Sequence, residues 1–111
     1  MITKYLVKKT NVATDKNQSF KGMKHITYHG KRGYLFGTFN WVTQAVDNSK
    51  ILASDIKANG FSSASGARRC YEYMNPDNTE FWKANVEIVR IDISEADSDN
   101  LVIYGLENND W

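Results

Sequence analysis

The segment 84–93, ANVEIVRIDI, limits the fold more than any other stretch of the chain. Val86 and Ile88 alternate with Glu87, and Ile91 and Ile93 with Arg90 and Asp92, which is the period of a strand. Between Ile88 and Ile91 the phase slips once. A bulge there, or burial on both faces, accounts for the slip. The chain is therefore built around a sheet.

The other segments supply partners for that strand. KYLVKK alternates Tyr5 and Val7 with Lys4, Leu6 and Lys8, predicting a first strand over 3–9. Residues 11–22 are polar, end on Gly22 and carry no period, so they read as a long loop. Residues 24–29 and 34–39 form a predicted hairpin turning at Lys31-Arg32-Gly33, with Gly33 supplying a positive φ. In that register His29 and Leu35 share one face, and Ile26, Tyr28, Tyr34 and Phe36 share the other. Asn40 is placed to cap a short helical turn through Trp41, Val42, Ala45 and Val46, and 50–53 reads as a short strand. The clearest helix is 62–75, capped by Ser62 or Ser63, with Ala64, Ala67, Cys70, Tyr71 and Met74 on one side. Asn75-Pro76 ends it. After the acidic turn SEADSDN, strand 101–106 is expected to pair back as a hairpin.

These elements predict an α+β fold: a mostly antiparallel sheet of about five strands, with helix 62–75 packed on one face. At 111 residues, residues 1–111 are expected to form one domain. Fourteen aromatic side chains and 41% hydrophobic residues exclude a disordered chain. No apolar run reaches the roughly 20 residues of a membrane helix, and MITKYLVKKT lacks the features of a signal peptide, so a cytoplasmic protein without membrane contact is expected. Cys70 is the one cysteine and reads as a small core residue rather than a nucleophile.

A net charge of +1 conceals an uneven distribution. Residues 1–40 carry eight basic side chains against Asp15 alone, whereas 41–111 carry six basic and twelve acidic. If the fold separates these segments, one side of the molecule is basic. The basic hairpin is then the leading candidate surface, with Lys31 and Arg32 at its tip and Lys21, Lys24, His25 and His29 nearby. Lysine and arginine neutralise phosphates, and Tyr28 or Tyr34 beside them could stack on bases. A second candidate is GFSSASGARR, where a helix start with free N–H groups precedes Arg68 and Arg69. It lacks a P-loop lysine, and the two arginines are also spaced to pair with Glu72.

Other chemistry finds little support. His25 and His29 share a strand face, but neither a third histidine nor a second cysteine completes a zinc set, so no metal is expected. Glu95, Asp97 and Asp99 lack the glycine and glutamate of a calcium loop. With no catalytic or cofactor motif at a diagnostic spacing, no cofactor is expected and an enzyme is the less favoured class.

Two family resemblances add to this reading. The stretch NWVTQAVDNSKILASDIKANGFSSASGARRCYEYM resembles the cores of small phage- and prophage-encoded proteins of low-GC bacteria, which implies provenance rather than activity. Tyr28-His29-Gly30 with Ile56 and Gly60-Phe61 resembles the His-Gly opening and downstream Ile and Gly-Phe of ADP-ribosyltransferases. That resemblance implies a histidine holding the ribose of a nicotinamide cofactor, although Lys31 stands where a small hydroxyl residue is expected and no glutamate motif follows. The leading expectation is a binding module contacting nucleic acid through Lys21, Lys24, His29, Lys31, Arg32, Arg68 and Arg69. The competing expectation is an inhibitor or adaptor that anchors a host protein through Trp41, Phe81, Trp82 or Trp111.

Overall fold

The computed structural model describes residues 2–43, 45–47, 51–73, 79–94 and 102–103. Its elements run β1 (Ile2–Ala13), β2 (Lys24–His29), a single 3₁₀ turn (Lys31–Gly33), β3 (Leu35–Phe36), β4 (Thr38–Asn40), β5 (Ala45–Asp47), β6 (Ile51–Leu52), α1 (Ala53–Asn59), α2 (Ala64–Tyr73), β7 (Trp82–Ile93) and β8 (Val102–Ile103). The class is α+β. Four antiparallel strands in the order β3-β2-β1-β7 form the main sheet, with two-stranded pairs β4-β5 and β6-β8 beside it. Among the described residues no helix is long and apolar enough to cross a membrane.

The spine is the β1–β7 ladder, paired without interruption from Ile2↔Ile93 to Ala13↔Trp82. The phase slip in β7 is therefore no bulge: both faces are covered, at different heights. On one face, called here the closed face, Leu6, Tyr28, Phe36, Val89, Ile91 and Ile93 pack with Ile51 and with Ala53 and Ile56 of α1. On the opposite, open face, Val7 and Val86 pack beneath Ala67 of α2, with Tyr5, Phe61, Cys70, Tyr71 and Ile88 around them. Leu6 and Val7 are neighbours in sequence, point to opposite faces, and are both fully buried. The alternation in KYLVKK fits a strand buried on one face, whereas here both faces are covered.

The hairpin register holds: Tyr28 pairs with Phe36 and His29 with Leu35, so the two predicted faces are those observed. Gly33 takes φ +74°, as expected, and Arg32 joins it in the left-handed region at φ 58°. Strand 34–39 is instead two short strands, because Gly37 at φ 96° breaks the run and sends β4 to pair with β5. Asn40 does accept cap-like hydrogen bonds from the Val42 and Thr43 N–H groups (2.8 and 3.1 Å), yet the chain closes a hairpin there, not a helix. β1 and β7 are also longer than expected, and the 11–22 loop begins only at Thr14.

Three further expectations change. The helix α1 was not foreseen: its seven residues hold only Ala53 and Ile56 as a buried pair, too short a stripe to read as periodic. β8 pairs with β6 through Ile51↔Ile103, not back onto β7. The basic and acidic segments are not separated, because β1 lies between β2 and β7; Lys8 is buried and reaches Glu87 at 3.5 Å across the ladder. Helix 62–75 is present as α2, with Ser63 Oγ accepting the Gly66 N–H (3.2 Å) as its cap. Met74, Asn75, Pro76, the acidic turn 95–100 and Trp111 lie outside the described residues.

Candidate functional site

The strand direction decides which candidate residues meet. β2 runs from Lys24 to His29, so Lys24 stands roughly 17 Å from His29 along the strand. Lys21 lies beyond Lys24 and pairs with Asp15 (3.3 Å). The expected cluster around Lys31 and Arg32 thus loses Lys21 and Lys24, which occupy the other end of the sheet. His29 remains, at the end of β2 where the 3₁₀ turn begins.

The turn and α2 enclose a cleft on the open face. Its walls are His29, Gly30, Arg32 and Gly33 from the hairpin side, and Phe61, Gly66, Arg69 and Cys70 from the α2 side, around a cavity of about 490 Å³. Helical geometry explains the second wall. Ala67, Cys70 and Tyr71 direct one stripe of α2 onto the sheet, and Gly66, Arg69 and Cys70 at i, i+3 and i+4 form the flank turned toward the hairpin. Phe61 is pinned by a pair of backbone hydrogen bonds with Tyr5 (2.9 and 2.8 Å). Phe61 and Gly66 fall within the GFSSASGARR candidate, but the sequence does not single them out as contacts or join them to the hairpin, because the turn and helix meet only through the sheet that carries both.

Among the described residues no acidic side chain lines the cleft, and neither Arg32 nor Arg69 has a salt-bridge partner. The Arg68 and Arg69 pairing with Glu72 does not form there. Arg68 faces a separate hollow with Tyr71, Val86, Glu87 and Ile88. Lys31 lies on the far side of the turn, where it and Arg32 line a smaller hollow with Tyr34, Ala58 and Asn59. Arg32 therefore borders both concavities, its position set by the left-handed backbone of the turn.

His29 Nε2 is 2.8 Å from Thr27 Oγ1, which fixes the ring and leaves Nδ1 for a second partner. Burial, and then the charge of Lys9 across the strands, push the His29 imidazolium pKa below its ordinary value, so the ring is neutral at pH 7. Burial raises the Cys70 thiol, so it stays protonated and is a poor nucleophile. The donors facing the cleft are thus two guanidiniums and one neutral imidazole.

Another concavity, of about 450 Å³, opens at the far end of the β1–β7 ladder. There Asp15 and Glu80 offset Lys16 and Lys83, so it offers no net charge to a ligand. Of the four anchor residues expected for a protein partner, Trp41 is 78% exposed and Phe81 45%, whereas Trp82 is half-buried. Phe39 stacks edge-on against Trp41 at 4.8 Å, and Val42 beside them is 92% exposed. Of the residues that carry the resemblance to ADP-ribosyltransferases, His29, Gly30 and Phe61 meet at the cleft, while Ile56 is in the closed-face core. Comparison with protein-family models, curated proteins and solved structures found no match.

Proposed function

We propose that this chain is a nucleic-acid-binding module whose contact with phosphate is the cleft between the 31–33 turn and α2. One observation carries the reading: Arg32 and Arg69, delivered by separate elements, line one concave surface on which, among the described residues, no acidic side chain meets them. Guanidiniums are charged at every accessible pH and match the paired oxygens of a phosphate, so two of them in one hollow favour an anion. Lys31, on the far side of the same turn, extends the positive surface. The test is binding of a labelled oligonucleotide across a salt series. Affinity is expected to fall steeply from about 50 to 200 mM salt, and Arg32→Glu with Arg69→Glu to remove binding. A complex indifferent to both salt and charge reversal overturns the reading.

A second reading, docking of a host protein, is favoured by the β4–β5 hairpin, whose tip exposes most of Trp41, packed edge-on against Phe39, and nearly all of Val42. Aromatic residues of that exposure are frequent anchors of protein interfaces. Under this reading Trp41→Ser abolishes capture of the partner while Arg32→Glu leaves it intact. The reverse pattern assigns the contact to the cleft.

A further inference from the structure

Resting on the nucleic-acid reading, we infer that the cleft seats a single unstacked nucleotide of a single strand, its phosphate between Arg32 and Arg69 and its base against Phe61. The shape is the first reason. A duplex keeps its bases stacked inside a cylinder and offers only phosphates and groove edges, which suit a flat or convex basic surface. A hollow of about 490 Å³ falls in the range of small-molecule sites, and a duplex sends a base into such a hollow only at the cost of unstacking and unpairing it. Single strands can, because their bases splay out and stack on aromatic or guanidinium planes.

The walls are the second reason. Phe61 supplies an aromatic surface whose backbone is tied to Tyr5 and whose ring packs with the Val7–Ala67–Val86 cluster, so the platform is rigid before ligand arrives. Gly66 leaves the neighbouring helix wall without a side chain. A Cβ there would meet Ser63 Oγ at 3.4 Å and Phe61 Cδ1 at 3.5 Å, which are ordinary contacts. Nothing in the packing therefore demands glycine, and what its absence of a side chain provides is open space beside Phe61. His29, held by Thr27 and neutral, adds a hydrogen-bonding atom at the hairpin wall, where a sugar hydroxyl or phosphate oxygen needs one.

The test uses a fluorescein-labelled 12-residue single strand, the duplex of the same sequence, and the full chain in three forms: wild type, Gly66→Leu and Phe61→Leu. Gly66→Leu fills the hollow while keeping every charge, and circular dichroism confirms that both variants are folded. The wild type is expected to prefer the single strand by about 10-fold or more, and a nucleoside monophosphate to displace it. Phe61→Leu is expected to weaken single-strand binding roughly 5- to 150-fold, the worth of one stacked base. Gly66→Leu is expected to bring single-strand affinity down to that of the duplex. If both variants bind the single strand as wild type does, while Arg32→Glu with Arg69→Glu abolishes binding, the cleft inference falls and the phosphate-contact reading stands. If the wild type binds neither form at low salt, both fall together.

Discussion

The two faces of the main sheet are drawn from alternate residues of the same strands, yet they do opposite work. Among the described residues the closed-face cluster has nine buried members, with Leu6, Tyr28, Phe36, Val89, Ile91 and Ile93 of the sheet packed beneath Ile51 and the α1 residues Ala53 and Ile56. On the open face the buried cluster among the described residues is Val7, Ala67 and Val86, ringed by partly buried Tyr5, Phe61, Cys70, Tyr71 and Ile88, and Lys9, Thr27, His29 and the cleft share that face. Hydrophobic stabilisation scales with apolar area removed from water, so the closed face supplies most of it. The open face is left free to hold charge and a cavity. The larger core and the cleft-bearing face are separated by a single residue step along β1, between Leu6 and Val7.

The sharpest way to break this division is to truncate each neighbour in turn. Leu6→Ala is expected to cost about 2–5 kcal/mol, since the cavity opens within the larger cluster. Val7→Ala removes two methyl groups from a small cluster beneath one helix and is expected to cost roughly 1.5–3 kcal/mol. Urea unfolding measures both. Equal losses would mean that α2 closes its face as tightly as α1 closes the other.

A smaller effect tests the seam between the faces. Gly30 follows His29 and sits against α1: a Cβ there would collide with the Asn59 carbonyl oxygen and lie 2.8 Å from the Phe36 ring. Backbone cannot yield as a flexible side chain does, so Gly30→Ala is expected to destabilise by about 1–3 kcal/mol and to displace the turn that carries Arg32. Both thermal unfolding and oligonucleotide binding should report it. A variant that loses stability and keeps full affinity would show that the turn is set without α1.

Gly66 should respond in the opposite sense. It lies inside α2 with room for a Cβ, so Gly66→Ala is expected to raise stability by about 0.4–1 kcal/mol through the unfolded chain's lost freedom. A methyl group is too small to fill the cleft, so single-strand affinity should hold within about 2-fold. Loss of stability instead would mean that the open face is packed more tightly around Phe61 than these contacts allow.

What was legible in the sequence follows the same division. Alternation in β1, β2 and β7 and the turn at Gly33 were readable because strand period and positive φ are local properties. The phase slip in 84–93 was readable too, and its cause is burial of both faces, one of the two explanations open at that stage. The β6–α1 unit was hidden, since two strand residues followed by seven helical ones leave too short a pattern. At the site, the sequence names His29 and Arg32 in one candidate surface and Arg69 in another, and the meeting of the two is not readable from it. That meeting depends on α2 crossing the face to which His29 points, a tertiary fact with no local signature. The burial of Lys8 has no local signature for the same reason: it depends on both sides of β1 being covered.

The smallest effect discriminates the faces by pH. His29 is the titratable group of the open face whose charged form is disfavoured by burial and by Lys9, so its folded pKa lies below the ordinary 6.5. Above pH 6.5 both folded and unfolded chains hold it neutral, and it adds no pH dependence. As pH falls below 6.5 the unfolded chain takes up the proton first, so stability declines until the folded value is passed and both states are protonated. His29→Gln should flatten that part of the stability profile between pH 7.5 and 5, whereas Leu6→Ala should lower the whole profile without changing its slope. A seated phosphate acts in the reverse direction, favouring the imidazolium, so oligonucleotide affinity is expected to rise over the same fall in pH and to stop rising in His29→Gln. A pH-independent affinity in the wild type would remove His29 from the ligand's reach and leave Arg32, Arg69 and Phe61 as the cleft's contacts.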